Sequence, residues 1–139
     1  MEDLMKIKII RFSEAATLPK RAHYNDAGAD VYCPHDILIR PGDTVAVGLG
    51  FGVEIPDGFM GLIYVRSSMV QDGLTVDLPP IDAGYRGEIH ALITNRSDNG
   101  HVILKKGDRI GQLVIQPVIY VEANAPGIAG AVHAAEDDI

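Results

Sequence analysis

Cysteine occurs once in the 139 residues, at Cys33, so no disulfide can close within the chain and a reducing, cytoplasmic compartment is expected. No apolar run approaches the roughly 20 residues that a membrane helix needs. The opening Met1-Glu2-Asp3-Leu4-Met5-Lys6 mixes charges and holds no apolar signal segment, so neither a membrane nor export is expected. There is also no lysine- or arginine-rich block: 12 basic residues stand against 19 acidic ones, for a formal net charge of −7. Duplex DNA or RNA requires a basic face to neutralise phosphate, so no nucleic-acid partner is expected. One small nucleotide is not excluded, because a few arginines and Mg²⁺ can neutralise a triphosphate. The five histidines, at 23, 35, 90, 101 and 133, show no HxxxH spacing, and no CxxC occurs, which argues against zinc. Long helical periodicity, a linker, a second domain and an internal repeat are all missing.

What is present is a period-two pattern in a chain that is 47% apolar, enough for one core in one domain. Lys6 to Arg11 alternates, and so in part does Asp36 to Arg40. Further β-rich runs lie at Thr44 to Val47, Phe51 to Ile55, Met60 to Val65, Glu88 to Thr94, His101 to Leu104 and Leu113 to Val121. Turn signals separate them at Pro41-Gly42-Asp43, Pro56-Asp57-Gly58, Ser97 to Gly100 and Lys106-Gly107-Asp108. Short strands at this spacing predict an all-β sandwich or closed barrel. Ser67 to Asp72 can hold one helical turn. The body is expected over 1–122, with 123–139, rich in Ala and Gly and acidic at its end, as a loosely held arm of the same domain.

Four segments can carry chemistry. In Asp26-Ala27-Gly28-Ala29-Asp30-Val31 a carboxylate opens a β-run, either as a strand-end residue or as a ligand to metal-bound water. Tyr64-Val65-Arg66-Ser67-Ser68-Met69 sets an arginine before two hydroxyls at a strand end. That suits phosphate oxygens, or equally a salt bridge beside a serine N-cap. Pro80-Ile81-Asp82-Ala83-Gly84-Tyr85-Arg86-Gly87-Glu88 sets an Asp and a Tyr three apart in a glycine-bounded turn. The carboxylate could orient and deprotonate water and the ring could pack on a sugar, or both could be ordinary turn residues. Lys106-Gly107-Asp108-Arg109-Ile110-Gly111-Gln112-Leu113 reads as a structural hairpin feeding a strand with Arg109 and Gln112.

Each segment alone is ambiguous; their order is not. AGADVYC, VRSSM, IDAGYRGEI and KGDRIGQLVI, spread over residues 27–115, closely resemble the first four of five motifs of the trimeric dUTP diphosphatases. The resemblance covers most of the chain, and YRGEI and GDRIGQLVI are its most specific pieces. It implies a jelly-roll-like β-barrel, a homotrimer with active sites between subunits, and hydrolysis of dUTP to dUMP and pyrophosphate. By the same resemblance Asp82 orients the attacking water, and Tyr85 stacks on deoxyribose and leaves no room for a 2′-hydroxyl. Arg66, Ser67, Ser68 and Gln112 contact phosphate, Asp30 faces the metal's water shell, and the phosphates themselves hold most of the Mg²⁺. Pro80 and Ile81 belong to the nucleoside-binding segment.

Two stretches depart from the family pattern. The fifth motif normally brings an arginine, a phenylalanine and a hydroxyl residue over the nucleotide, whereas Ala125 to His133 keeps only glycines. The base-reading hairpin, Gly73 to Pro80, is a few residues short and lacks the usual Asn and Gly, and Pro80 has no backbone donor. The missing fifth motif supports a second reading, a weakened nucleotide-binding or regulatory protein. Retention of Asp82, Arg66 and Tyr85 together argues against it. A third reading, the sister dCTP deaminases, lacks its catalytic glutamate here, because Leu92 holds that position and Tyr85 replaces the usual Trp.

Overall fold

The computed structural model describes residues 5–128. Its order is β1 (Lys8–Arg11), β2 (Ala29–Tyr32), β3 (Ile37–Ile39), β4 (Thr44–Gly48), β5 (Phe51–Glu54), β6 (Phe59–Tyr64), α1 (Ser67–Gln71), β7 (Leu74–Asp77), β8 (His90–Asn95), β9 (Val102–Leu104) and β10 (Arg109–Pro117). The turns marked in the sequence all lie between strands. At Gly58 and Gly107 φ is 90° and 88°, a region that a Cβ closes to most residues.

All pairing is antiparallel, in the orders β1-β5, β2-β10-β6, β3-β9 and β4-β8-β7. Among the described strands only β7 and β8 are neighbours both in sequence and in a sheet. Every other pair joins distant segments, the wrapped connectivity of a jelly-roll-like barrel. Alternation supplies the core: Val31, Ile39, Phe51, Ala91, Ile93 and Ile110 are fully buried. β8, central in its sheet, ends in a buried Asn95. Its Nδ2 donates to Ile39 O at 3.0 Å and to Gly100 O at 3.1 Å, and its Oδ1 accepts from Ser97 N–H at 3.0 Å. A buried amide is tolerated because its polar atoms are paired.

The structure corrects three expectations. The turn at Gly107-Asp108 is not a hairpin, since β9 pairs with β3 while β10 pairs with β2 and β6. The turn instead docks on the end of β2: Gly107 N–H donates to Cys33 O and Cys33 N–H to Asp108 O, both at 2.8 Å. The last strand runs earlier than the apolar run Leu113 to Val121, from Arg109 to Pro117. Just beyond it Val118 N–H donates to Gly58 O at 2.8 Å, continuing the register with β6 by one residue. β7 is absent from the runs read in the sequence. It supplies the first arm of a hairpin, because Leu74–Asp77 pairs antiparallel with β8, the next strand in sequence. Residues 118–128 form no strand, and Ile119 and Val121 are exposed. The arm expected over 123–139 lies, from 129 onward, outside the described residues.

Candidate active site

The first group of site residues grows from the β2-β10-β6 sheet. Gln112 on β10 is paired with Asp30 on one side and Tyr64 on the other, and directly paired residues project from the same face. A register shift between Arg109 and Gly111 pairs Arg109 with Tyr32. Arg109 and Gln112 are three apart and would otherwise point to opposite faces; the bulge brings them to one. Gly111 is needed there, because a Cβ would stand 2.8 Å from Tyr64 O. Gly28 serves Gln112 similarly, since a Cβ would stand 2.9 Å from Gln112 Oε1.

Asp30 is the centre of this group. Its Oδ1 lies 4.0 Å from Arg66 Nε and its Oδ2 3.6 Å from Arg109 Nη1. Each carboxylate oxygen thus faces one guanidinium, with the Asp30 side chain 21% exposed. Arg66 follows β6 in extended conformation (φ −94°, ψ 150°) and stands where a capping residue would, but no side chain caps α1. The first helical bond runs from Met69 N–H to Arg66 O at 3.0 Å. The hydroxyls of the exposed Ser67 and Ser68 are therefore not used as N-caps. A cleft of about 640 Å³ opens here, lined by Arg66, Ser68 and Arg109 among others.

The second group is built on the turn before β8. Tyr85 N–H donates to Asp82 O at 3.1 Å, closing a turn of four residues. Arg86 folds back to donate to Ala83 O at 2.5 Å and lies 4.0 Å from Glu54 Oε1, so it ties the turn down. Ile81 bridges to Gly61 of β6: Ile81 N–H donates to Gly61 O at 2.8 Å, and Gly61 N–H to Ile81 O at 3.0 Å. Both backbone groups of Ile81 are thereby used, and Pro80 offers only its carbonyl. Tyr85, 44% exposed, donates its hydroxyl to Glu88 O at 2.7 Å. A cavity of about 220 Å³ is lined by Pro80, Ile81, Asp82, Tyr85, His90 and Leu92, with Glu88 beside Tyr85. Among the described residues no hydrogen bond or ion pair holds the Asp82 carboxylate.

The structure therefore brings Asp30, Arg66 and Gln112 together beside Ser67 and Ser68, and Pro80, Ile81, Asp82 and Tyr85 together elsewhere. The cleft and the cavity share no lining residue. Both hang from β6, the cavity through Gly61 and the cationic corner past Tyr64. Arg66 lies five steps of extended chain beyond Gly61, roughly 16 Å. Arg109, Glu88 and His90 also belong here, and sequence reasoning did not assign them to the site. Arg109 had a sequence signal, the Gly111 that marks a bulge; Glu88 had only its place in YRGEI.

Among the described residues no three His, Cys, Asp or Glu side chains cluster to hold a metal. Asp30 already faces two cations, so its carboxylate fits hydrogen bonding to metal-bound water better than direct coordination. That donor set fits Mg²⁺ carried largely on phosphate oxygens and water.

A jelly-roll-like barrel with a cationic, hydroxyl-bearing corner and an Asp–Tyr turn is the framework of a nucleotide-hydrolysing enzyme. The chain belongs to the dUTPase family, whose model matches residues 14–128. A deoxyuridine 5'-triphosphate nucleotidohydrolase of Corynebacterium glutamicum is 42% identical over 125 residues, spanning 88% of this chain and 84% of the relative. One from Nocardia farcinica is 40% identical over 125 residues, spanning 88% and 76%. The dUTPase of Staphylococcus bacteriophage 80alpha, solved with dUpNHpp, superposes with a TM-score of 0.81 at 26% identity, covering 86% of this chain and 87% of that one. The dUTPase of phage phi11 of S. aureus, described with a structural Mg(II) ion, gives 0.80 at 26%, covering 87% and 96%.

Proposed function

We propose that this protein hydrolyses dUTP to dUMP and pyrophosphate, with Asp82 directing a water at the α-phosphorus. The observation that carries the proposal is the Asp82–Tyr85 turn: an internally unpartnered carboxylate and an exposed, tethered ring line one cavity. Tyr85 packs on deoxyribose and blocks a 2′-hydroxyl. Pro80 and Ile81 form the nucleoside wall, Ile81 by its side chain. Asp82 takes a proton from water as the water oxygen bonds to the α-phosphorus. The bond to the α–β bridging oxygen then breaks and pyrophosphate leaves. Arg66, Ser67, Ser68 and Gln112 hold the phosphates and neutralise charge that builds in transit. Mg²⁺, when bound, adds Lewis-acid neutralisation of the triphosphate, and Asp30 faces its water shell.

The two groups occupy separate surfaces of one chain, which supports a homotrimer in which one subunit's cavity meets another's cationic corner. Leu92 puts an apolar group in the cavity where deamination would need a glutamate, so the deaminase reading is not favoured. The single buried thiol suits a cytoplasmic setting.

The test is product analysis of purified protein with dUTP and Mg²⁺, separating monophosphate, diphosphate and pyrophosphate. dUMP with pyrophosphate is expected; dUDP with inorganic phosphate would exclude attack at the α-phosphorus. No turnover of any deoxynucleotide would favour a binding protein. Light scattering should give about three times the 14.9 kDa chain mass, and a monomer with full activity would rule out shared sites.

A further inference from the structure

The geometry points to Glu88 as a positioning residue that holds Tyr85 in place and thereby sharpens selection of deoxyribose over ribose; this rests on the reading of Tyr85 as the sugar-facing wall. Tyr85 is 44% exposed, so burial alone does not fix its ring. Its hydroxyl is fixed by the carbonyl oxygen of Glu88 at 2.7 Å. His90 Nδ1 lies 3.1 Å from that same oxygen. Everything therefore depends on how firmly this peptide is held, and residues 85–89 belong to no strand.

It is held at both ends. At one end, Ile89 N–H donates to Phe51 O and Ile89 O accepts from Leu49 N–H, both at 2.9 Å. At the other, the Glu88 side chain turns to the segment alongside, where Oε2 accepts Gly50 N–H at 2.8 Å. The turn between β4 and β5 is shaped to receive it. A Cβ on Gly48 would stand 2.8 Å from Oε2, and Gly50 has a φ of 79°. His90 Nε2 stands 3.6 Å from the other carboxylate oxygen. Behind the carboxylate lies a further cavity of about 440 Å³, bordered by Ser13, His35 and Gly50. Residue 88 has room to swing into it once the Gly50 tie is lost. A carboxylate accepting a backbone N–H in this way makes a charge-assisted bond, stronger than a neutral one.

The experiment compares specificity constants for dUTP, UTP and dCTP at matched Mg²⁺ in the full chain, Tyr85→Ala, Glu88→Ala, Glu88→Gln and the double variant Tyr85→Ala with Glu88→Ala. Glu88→Ala should narrow the dUTP-over-UTP ratio on the order of threefold to tenfold, with the dUTP-over-dCTP ratio unmoved. Glu88→Gln keeps an acceptor for Gly50 N–H and should restore the sugar preference. In the Tyr85→Ala background, loss of Glu88 should change the sugar ratio no further. Narrowing in Tyr85→Ala but not in folded Glu88→Ala overturns the role of Glu88 alone. Full deoxyribose preference in Tyr85→Ala overturns the reading of Tyr85 and this inference with it. If Glu88→Ala does not fold, Tyr85→Phe keeps the ring and removes the hydroxyl that the Glu88 carbonyl holds. Narrowing there supports the tie, and unchanged preference overturns it.

Discussion

Gly87→Ala separates activity from stability. A Cβ on Gly87 would stand 2.5 Å from Tyr85 Oη, 2.7 Å from Cζ and 3.1 Å from Cε1. Nonbonded heavy atoms settle near 3.5 Å, so the hydroxyl end of the ring must retreat by about 1 Å. It can do so cheaply, because Tyr85 is 44% exposed. The retreat breaks the bond to Glu88 O, a net loss of about 1 kcal/mol. Against this, Gly87 is not among the glycines with positive φ, so alanine there restricts the unfolded chain and returns roughly 0.4–1 kcal/mol. The two effects nearly cancel, and the melting temperature should move by no more than about 4 °C. Turnover is another matter. A sugar wall displaced by about 1 Å misplaces the α-phosphorus relative to Asp82, and such an error can cost up to about 10²-fold. The expected result is a roughly 10- to 100-fold fall in pyrophosphate release with a nearly native melting curve. Wild-type turnover in the variant would show that the ring position is irrelevant to the chemistry. A collapse of melting temperature matching the activity loss would show that Gly87 is simply structural.

Asp82→Asn keeps the shape but removes the basicity, and turnover should fall about 10²–10⁴-fold while nucleotide affinity, read by calorimetry, is largely kept; near-native turnover would mean another residue is the base. Asn95→Leu strips partners from Ile39 O, Gly100 O and Ser97 N–H, and urea unfolding should report a loss of at least about 2 kcal/mol. A loss within error would mean solvent reaches those groups. The Cys33 thiol is pushed above its ordinary value of 9.0 by burial first, with Asp108 and Asp36 adding to the rise and a hydrogen bond with the His35 backbone opposing it. The folded state then keeps its proton after the unfolded chain has lost it. Stability should accordingly fall as pH rises through the ordinary thiol range, levelling once the folded thiol ionises. Cys33→Ala should remove that component of the alkaline slope in urea melts between pH 7 and 10, and an unchanged slope would assign it elsewhere.

Period-two alternation and glycine-marked turns determine, from the sequence alone, an all-β chain and most of its strands. The ordered motifs, through their resemblance to the dUTP diphosphatases, single out Asp30, Arg66, Ser67, Ser68, Asp82, Tyr85 and Gln112. Alternation states which side chains of one strand share a face, but it is silent on which strand lies alongside. That is why Gly107-Asp108 read as a hairpin, although it links strands of different sheets. It is also why Leu74–Asp77 escaped notice until β8 recruited it. Only the tertiary structure set Asp30 between Arg66 and Arg109, because a bulge at Gly111 reverses the side that Arg109 faces. Only the bridge to Gly61 showed that Ile81 has no free backbone group. The tie from Glu88 to Gly50 spans 38 residues. No local pattern encodes such a bond, since its partner is chosen by how the sheets close.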